Sequence, residues 1–146
     1  MPKINVVQSQ VLRRVRSLKT VPLNINQSPI GHQMRKIDVE KQLERYLKLL
    51  KRYDMPERNK EISVVYSRIA CLQNILCMHD AAISNADISC TLNPYYAAAF
   101  YQKGLGYFKI NKIKESCEAF LSGLERHPGN TRLEAAFQQI MEIANK

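Results

Sequence analysis

Residues 94–128 read PYYAAAFYQKGLGYFKINKIKESCEAFLSGLERHP, and this stretch decides the fold. Pro94 and Pro128 stand at its two ends, 34 residues apart. Each marks a place where a helix must stop, because proline supplies no amide proton and biases its predecessor out of helical geometry. The same interval links Tyr66 to Phe100, Ala70 to Gly104, His79 to Ile113 and Ala82 to Ser116. The residue types follow from helix packing. A bulky aromatic opens the first helix of each unit, and a small residue follows four positions later, where only Ala, Gly or Ser lets two helices approach to the short end of about 8–10 Å. Self-similarity at this period predicts stacked pairs of helices.

Working outward, apolar residues recur at helical spacing through most of the chain. Val39, Leu43, Tyr46, Leu47, Leu50 and Tyr53 share one face of a helix expected from Asp38, with Lys41, Glu44, Arg45, Lys48 and Lys51 opposite. Asp38 is its expected N-cap, and Pro56 follows its end as a stop signal. Further helices are expected over about 58–77, 80–91, 94–110, 113–126 and 131–145. Thr131 with Glu134 reads as a capping box. No segment alternates with period two, so the fold class is all-α, a chain of antiparallel helices joined by short turns.

These segments resemble tetratricopeptide repeats. Phe100, Gly104, Tyr107, Phe120 and Pro128 stand where that family carries an aromatic, Gly, Tyr, an aromatic and Pro, while Gly123 replaces the usual Ala and Lys103 the usual Leu. The earlier unit keeps Tyr66, Ala70, Ala82 and Pro94 but has Gln73 and Ala86 at two aromatic positions. The resemblance implies a superhelix of antiparallel helix pairs over residues 37–146. It comprises a partial repeat at 38–60, repeats at 63–96 and 97–130, and a C-terminal capping helix at 131–145 that covers the apolar face of the last repeat. Residues 1–36 form a basic, partly irregular N-terminal arm, with one helical possibility where Val7, Val11, Val15 and Leu18 recur between about 6 and 18.

The implied function is that of a protein–protein interaction adaptor, which holds a partner peptide or helix in a concave groove lined by the first helix of each pair. Arg68, Ala98, Tyr101, Gln102 and Leu105 are the expected groove residues, with Asn74 or Ile75 beside them. Co-chaperone members of the family grip acidic tails of Hsp70 or Hsp90 with a clamp of Lys, Asn and Arg. Here Arg68 stands where the middle Asn is usual, Ala98 where a Lys is and Gln102 where the Arg is, so an intact carboxylate clamp does not carry over. Arg68 and Lys103 remain as cations on or near the groove.

Charge supports an alternative. Residues 1–60 hold 14 Lys and Arg against 5 Asp and Glu, whereas residues 61–146 hold 8 of each, so the net +9 belongs wholly to the first part. Arg13, Arg14, Arg16, Lys19, Arg35 and Lys36 form a basic arm that would suit nucleic acid or an anionic surface, although aromatic residues for base stacking are not interleaved with them. No catalytic residue, cofactor or metal is expected. His32, His79 and His127 have no nucleophile or carboxylate at a productive spacing, and Cys71, Cys77, Cys90 and Cys117 form no CxxC pair. The cysteines read as reduced core residues of a cytoplasmic protein. The basic N-terminus lacks the long apolar run of a secretory signal, and no stretch approaches the roughly 20 apolar residues of a membrane span.

Overall fold

The computed structural model describes residues 35–52 and 58–145. Among these residues lie six α-helices and no strand: α1 (Lys36–Arg52), α2 (Asn59–Ile75), α3 (His79–Leu92), α4 (Ala97–Lys109), α5 (Ile113–Arg126) and α6 (Thr131–Ala144). Each helix packs on the next, and α2 also touches α4 while α4 also touches α6. The helix pairs α2–α3 and α4–α5 therefore stack in one direction, with α1 before them and α6 after.

The backbone repeats the period of the sequence. After α2, the Cys77 amide donates to the Asn74 carbonyl and the Met78 amide to the Gln73 carbonyl; after α4, Asn111 donates to Phe108 and Lys112 to Tyr107. Cys77 and Asn111 both lie in the left-handed region, at φ 60° and 62°. Such a residue closes a helix by turning the chain so that the next amides reach back to orphaned carbonyls. The ends of α3 and α5 match likewise, with Asn93 donating to Ser89 and His127 to Gly123.

The tight crossings fall where the small residues predict. In the first pair, Ala70, Ala82 and Ala86 form a fully buried cluster. In the second, a Cβ on Gly104 would come within 2.6 Å of the Phe120 ring, and one on Gly123 within 2.7 Å of Phe100 Cβ. Ser116 adds a hydrogen bond from its hydroxyl to the Gly104 carbonyl at 2.7 Å, which the close approach makes possible. Phe100, Tyr101, Phe120, Leu124, Leu133, Phe137 and Ile140 build the main core between α4, α5 and α6. Val39 and Leu43 of α1 meet Ile69 and Leu72 of α2 in a smaller one.

Several local expectations are corrected. Asp38 is not an N-cap but lies in the first turn of α1, where its carboxylate accepts a 3.1 Å hydrogen bond from Arg35. Leu47, expected inward, is 42% exposed, so the apolar stripe of α1 is narrower than drawn. Tyr53 and Pro56 lie outside the described residues. Helix α4 begins at Ala97 rather than Pro94, since Pro94 and Tyr95 form a turn in which the Tyr96 amide donates to Asn93. Asn130, not Thr131, caps α6 by accepting from the Leu133 amide at 3.0 Å. With Asn130 as the cap, Thr131 is the first residue of α6 rather than the capping residue of a box, and Glu134 lies buried in the first turn.

Two variants test this packing. Gly123→Ala places a methyl against Phe100 Cβ, which sits too close to its backbone to swing away. Overpacking should lower unfolding stability by about 1–3 kcal/mol despite the better helix propensity of alanine, read from urea denaturation. Cys77→Gly relieves a left-handed conformation at an exposed position and should raise stability by about 0.5–1 kcal/mol in the same assay.

Candidate functional site

Helices α2, α4 and α6 lie in a row, each touching the next, and the expected groove residues belong to this row. Arg68, on α2, is exposed and has no ion pair among the described residues. Ala98, on α4, is half-buried. The other three are covered: Tyr101 is 1% exposed, Gln102 3% and Leu105 4%. An open lining built from all five is thereby corrected, and the reason is the close approach of the neighbouring helices. Leu105 and Tyr101 join the core that α6 closes with Leu133, Ala136, Phe137 and Ile140. The Arg132 guanidinium lies over the Tyr101 ring, 3.7 Å from its centroid. The same ring meets Phe120 in a tilted arrangement at 5.9 Å between centroids. The buried Tyr101 hydroxyl has no hydrogen-bond partner among the described residues.

Gln102 is held by α2. Asn74 Nδ2 donates to both the carbonyl and the Oε1 of Gln102, each at 3.1 Å. With its amide group committed as donor, Asn74 offers Oδ1 to His79 Nδ1 at 3.0 Å. His79 Nδ1 therefore carries the proton, and a polar chain runs from α4 through α2 to the start of α3. Asn74, expected beside the groove, is thus buried at 7% exposure within the stack. Burial, then the charge of Lys109, push the His79 pKa below its usual value, with Asp80 opposing them.

Lys103, the second cation expected near the groove, turns to α3 instead. Its Nζ meets Asp87 at 2.7 Å. Burial alone would lower its pKa, but the hydrogen bond and charge of Asp87 outweigh it and hold the ammonium above its usual range. The cation that sequence reading missed is Arg132. Its signal was present, since it stands 34 residues after Ala98, at the same place in the next first helix. Assigning α6 only a covering role hid it.

Of the basic arm, Arg35 and Lys36 lie at the start of α1, where Arg35 pairs with Asp38 at 3.1 Å and Lys36 approaches Glu40 at 4.0 Å. Arg13, Arg14, Arg16 and Lys19 lie outside the described residues. Among the described residues no group of three or more His, Cys, Asp and Glu is placed to hold a metal. No described helix is long and apolar enough to cross a membrane.

The His79 environment sets a pH dependence. A histidine whose folded pKa is depressed binds its proton more readily when unfolded, so its contribution is complete above the unfolded value of 6.5 and is lost as pH falls below it toward the folded value. Urea midpoints of the native chain should decline over that window, and His79→Gln should flatten the decline.

No protein-family model and no curated protein matches this chain. Among solved structures, it is similar to the first TPR of Spaghetti (RPAP3) bound to the HSP90 peptide SRMEEVD. The similarity has a TM-score of 0.56 at 18% identity and covers 76% of this chain and 94% of that one. With the 34-residue recurrence of its turns, its small-residue crossings and its row of first helices, the chain has the tetratricopeptide-repeat fold.

Proposed function

We propose that this chain is a protein-interaction adaptor that holds an acidic segment of a partner, of the chaperone-tail type, against the face formed by α2, α4 and α6. The observation that carries the reading is the pair of arginines on that face. Among the described residues Arg68 is exposed without an ion pair, and Arg132 rests on an aromatic ring. A guanidinium over a ring keeps its edge donors available for a carboxylate while the ring fixes its position. The exposed acids of these three helices are Glu61 near the start of α2 and Glu142 near the end of α6.

The clamp of the co-chaperones is not reproduced residue for residue. Gln102 and Tyr101 act as supports: one is fastened to Asn74, the other sits under Arg132. The structural neighbour's HSP90 peptide, SRMEEVD, ends in a carboxylate-rich sequence, and two arginines suit such a ligand.

The test is a fluorescence-anisotropy titration of the full chain with a labelled SRMEEVD peptide and with its C-terminally amidated, Glu-to-Gln counterpart. Saturable binding of the acidic peptide alone is expected. Charge-assisted contacts contribute about 1.5–3 kcal/mol each, so Arg68→Ala or Arg132→Ala should weaken binding roughly tenfold or more. Equal affinity for both peptides, or an affinity indifferent to both arginines, would refute the proposal.

A further inference from the structure

Helix α1 turns a row of positive charge to solvent. Val39 and Leu43 are buried against α2 with Tyr46 and Leu50 packed beside them, and this fixes the opposite side of the helix as its outer face. Lys41, Arg45, Lys48 and Arg52 follow one another along that face at spacings of four, three and four, and all are exposed. At about 3.6 residues per turn they fall within about 60° of the circumference and run for about 16 Å along the axis. No acid of α1 falls within that arc.

The row is not matched inside the protein. The acids of α1 are Asp38, Glu40 and Glu44, and each already has a cation: Arg35 at 3.1 Å, Lys36 at 4.0 Å and Lys48 at 3.0 Å. Lys41, Arg45 and Arg52 have no ion pair among the described residues. Like charges four residues apart oppose helix formation. Arg52 suits the negative C-terminal end of the helix, but Lys41 and Arg45 stand in its middle, where the dipole offers no compensation. A row that works against its own helix points outward, to a ligand.

We propose that the outer face of α1 binds the phosphate backbone of a double-stranded nucleic acid without reading its sequence. A duplex presents one negative charge for about every 1.7 Å of its axis, so a straight row of cations meets anions wherever it lies along the strand. The face carries no aromatic side chain on which an unpaired base could stack, which disfavours a single strand. A membrane fits less well. A helix lying in a lipid interface buries its apolar side there, and that side of α1 is committed to Ile69 and Leu72. The wider charge distribution draws a polyanion to the same place. Residues 1–52 hold 12 Lys and Arg against 3 Asp and Glu, whereas residues 53–146 hold 10 of each, so the net +9 belongs to α1 and the sequence before it.

Fluorescence anisotropy of the full chain with a labelled, random-sequence DNA duplex, over a series of salt concentrations, tests the proposal. The variant Lys41→Gln, Arg45→Gln, Arg52→Gln alters exposed positions and leaves the Lys48–Glu44 pair intact. Its reference is Lys112→Gln, Lys114→Gln, Arg126→Gln, which removes the same charge from exposed positions at α5. Each phosphate contact adds about 0.9 to the logarithmic salt slope, so the α1 variant should lose about two to three from the slope and at least about tenfold in affinity near physiological salt. The α5 variant should stay within about twofold of the native chain, because charges away from the contact are screened. If the triple α1 variant loses helix by circular dichroism, Arg45→Gln alone carries the test, with a slope change of about one. An α1 variant that binds the duplex as the native chain does would overturn the proposal, and so would equal losses in the α1 and α5 variants. Phosphatidylserine vesicles that capture the chain through these cations, with no binding of the duplex, would overturn it too and give the face to a lipid surface. None of these substitutions touches Arg68 or Arg132, so the outcome is independent of the acidic-peptide proposal.

Discussion

Two helices of a pair can lie this close only where one of them has almost no side chain. At Gly104 the ring of Phe120 fills the space a methyl would need, and at Ala70 the partners are themselves alanines, Ala82 and Ala86. The two solutions differ in composition but place the crossing at equivalent points. Once that distance is set, the turns can be short, the Ser116 hydroxyl can reach the Gly104 carbonyl, and the next first helix meets both members of the pair before it. Each contact is local along the array, so the register of one pair sets that of its neighbour.

The features visible in the sequence were those that depend on spacing alone. Pro94, Pro128, Tyr66, Phe100, Ala70 and Gly104 declare the period, and α5 spans the residues expected of it because Ile113 and Arg126 are bounded by turn residues on both sides. What remained hidden depends on neighbours in space. Tyr101, Gln102 and Leu105 occupy first-helix positions that suit an open surface, but Arg132, Asn74 and the α6 core cover them. Asn130 outcompeted Thr131 as the cap of α6, a choice one residue wide that spacing does not resolve. Arg132 was legible by the period but obscured by the role given to its helix.

The stack is also held by polar groups, which is unusual for surfaces that join otherwise apolar helices. Gln102, Asn74 and His79 link α4, α2 and α3, while Asn85 of α3 donates to Gln73 of α2 at 2.7 Å and the Ser89 hydroxyl to the Ser63 carbonyl at 2.6 Å. Buried hydrogen bonds of this kind add about 0.5–1.5 kcal/mol net when satisfied, whereas a buried donor or acceptor left unpaired costs about 1–3 kcal/mol. They therefore penalise a slipped register more than they favour the right one. Gln73 and Asn74 stand on the first helix of the pair whose pattern departs further from the repeat, so polar pairing there takes over part of the specification that aromatic residues provide in the second.

The left-handed turn after α2 gives the molecule uneven chemistry towards oxidants and electrophiles. Cys77 is the exposed cysteine among the four, presented at the tip of that turn. Cys71 is buried, burial pushes the Cys90 thiol up to about 11, and burial raises Cys117 in the same direction. Since the thiolate is the reactive form, alkylating reagents and disulfide exchange will be directed to one loop at the end of α2, and a probe attached there will report on the junction of the first helix pair.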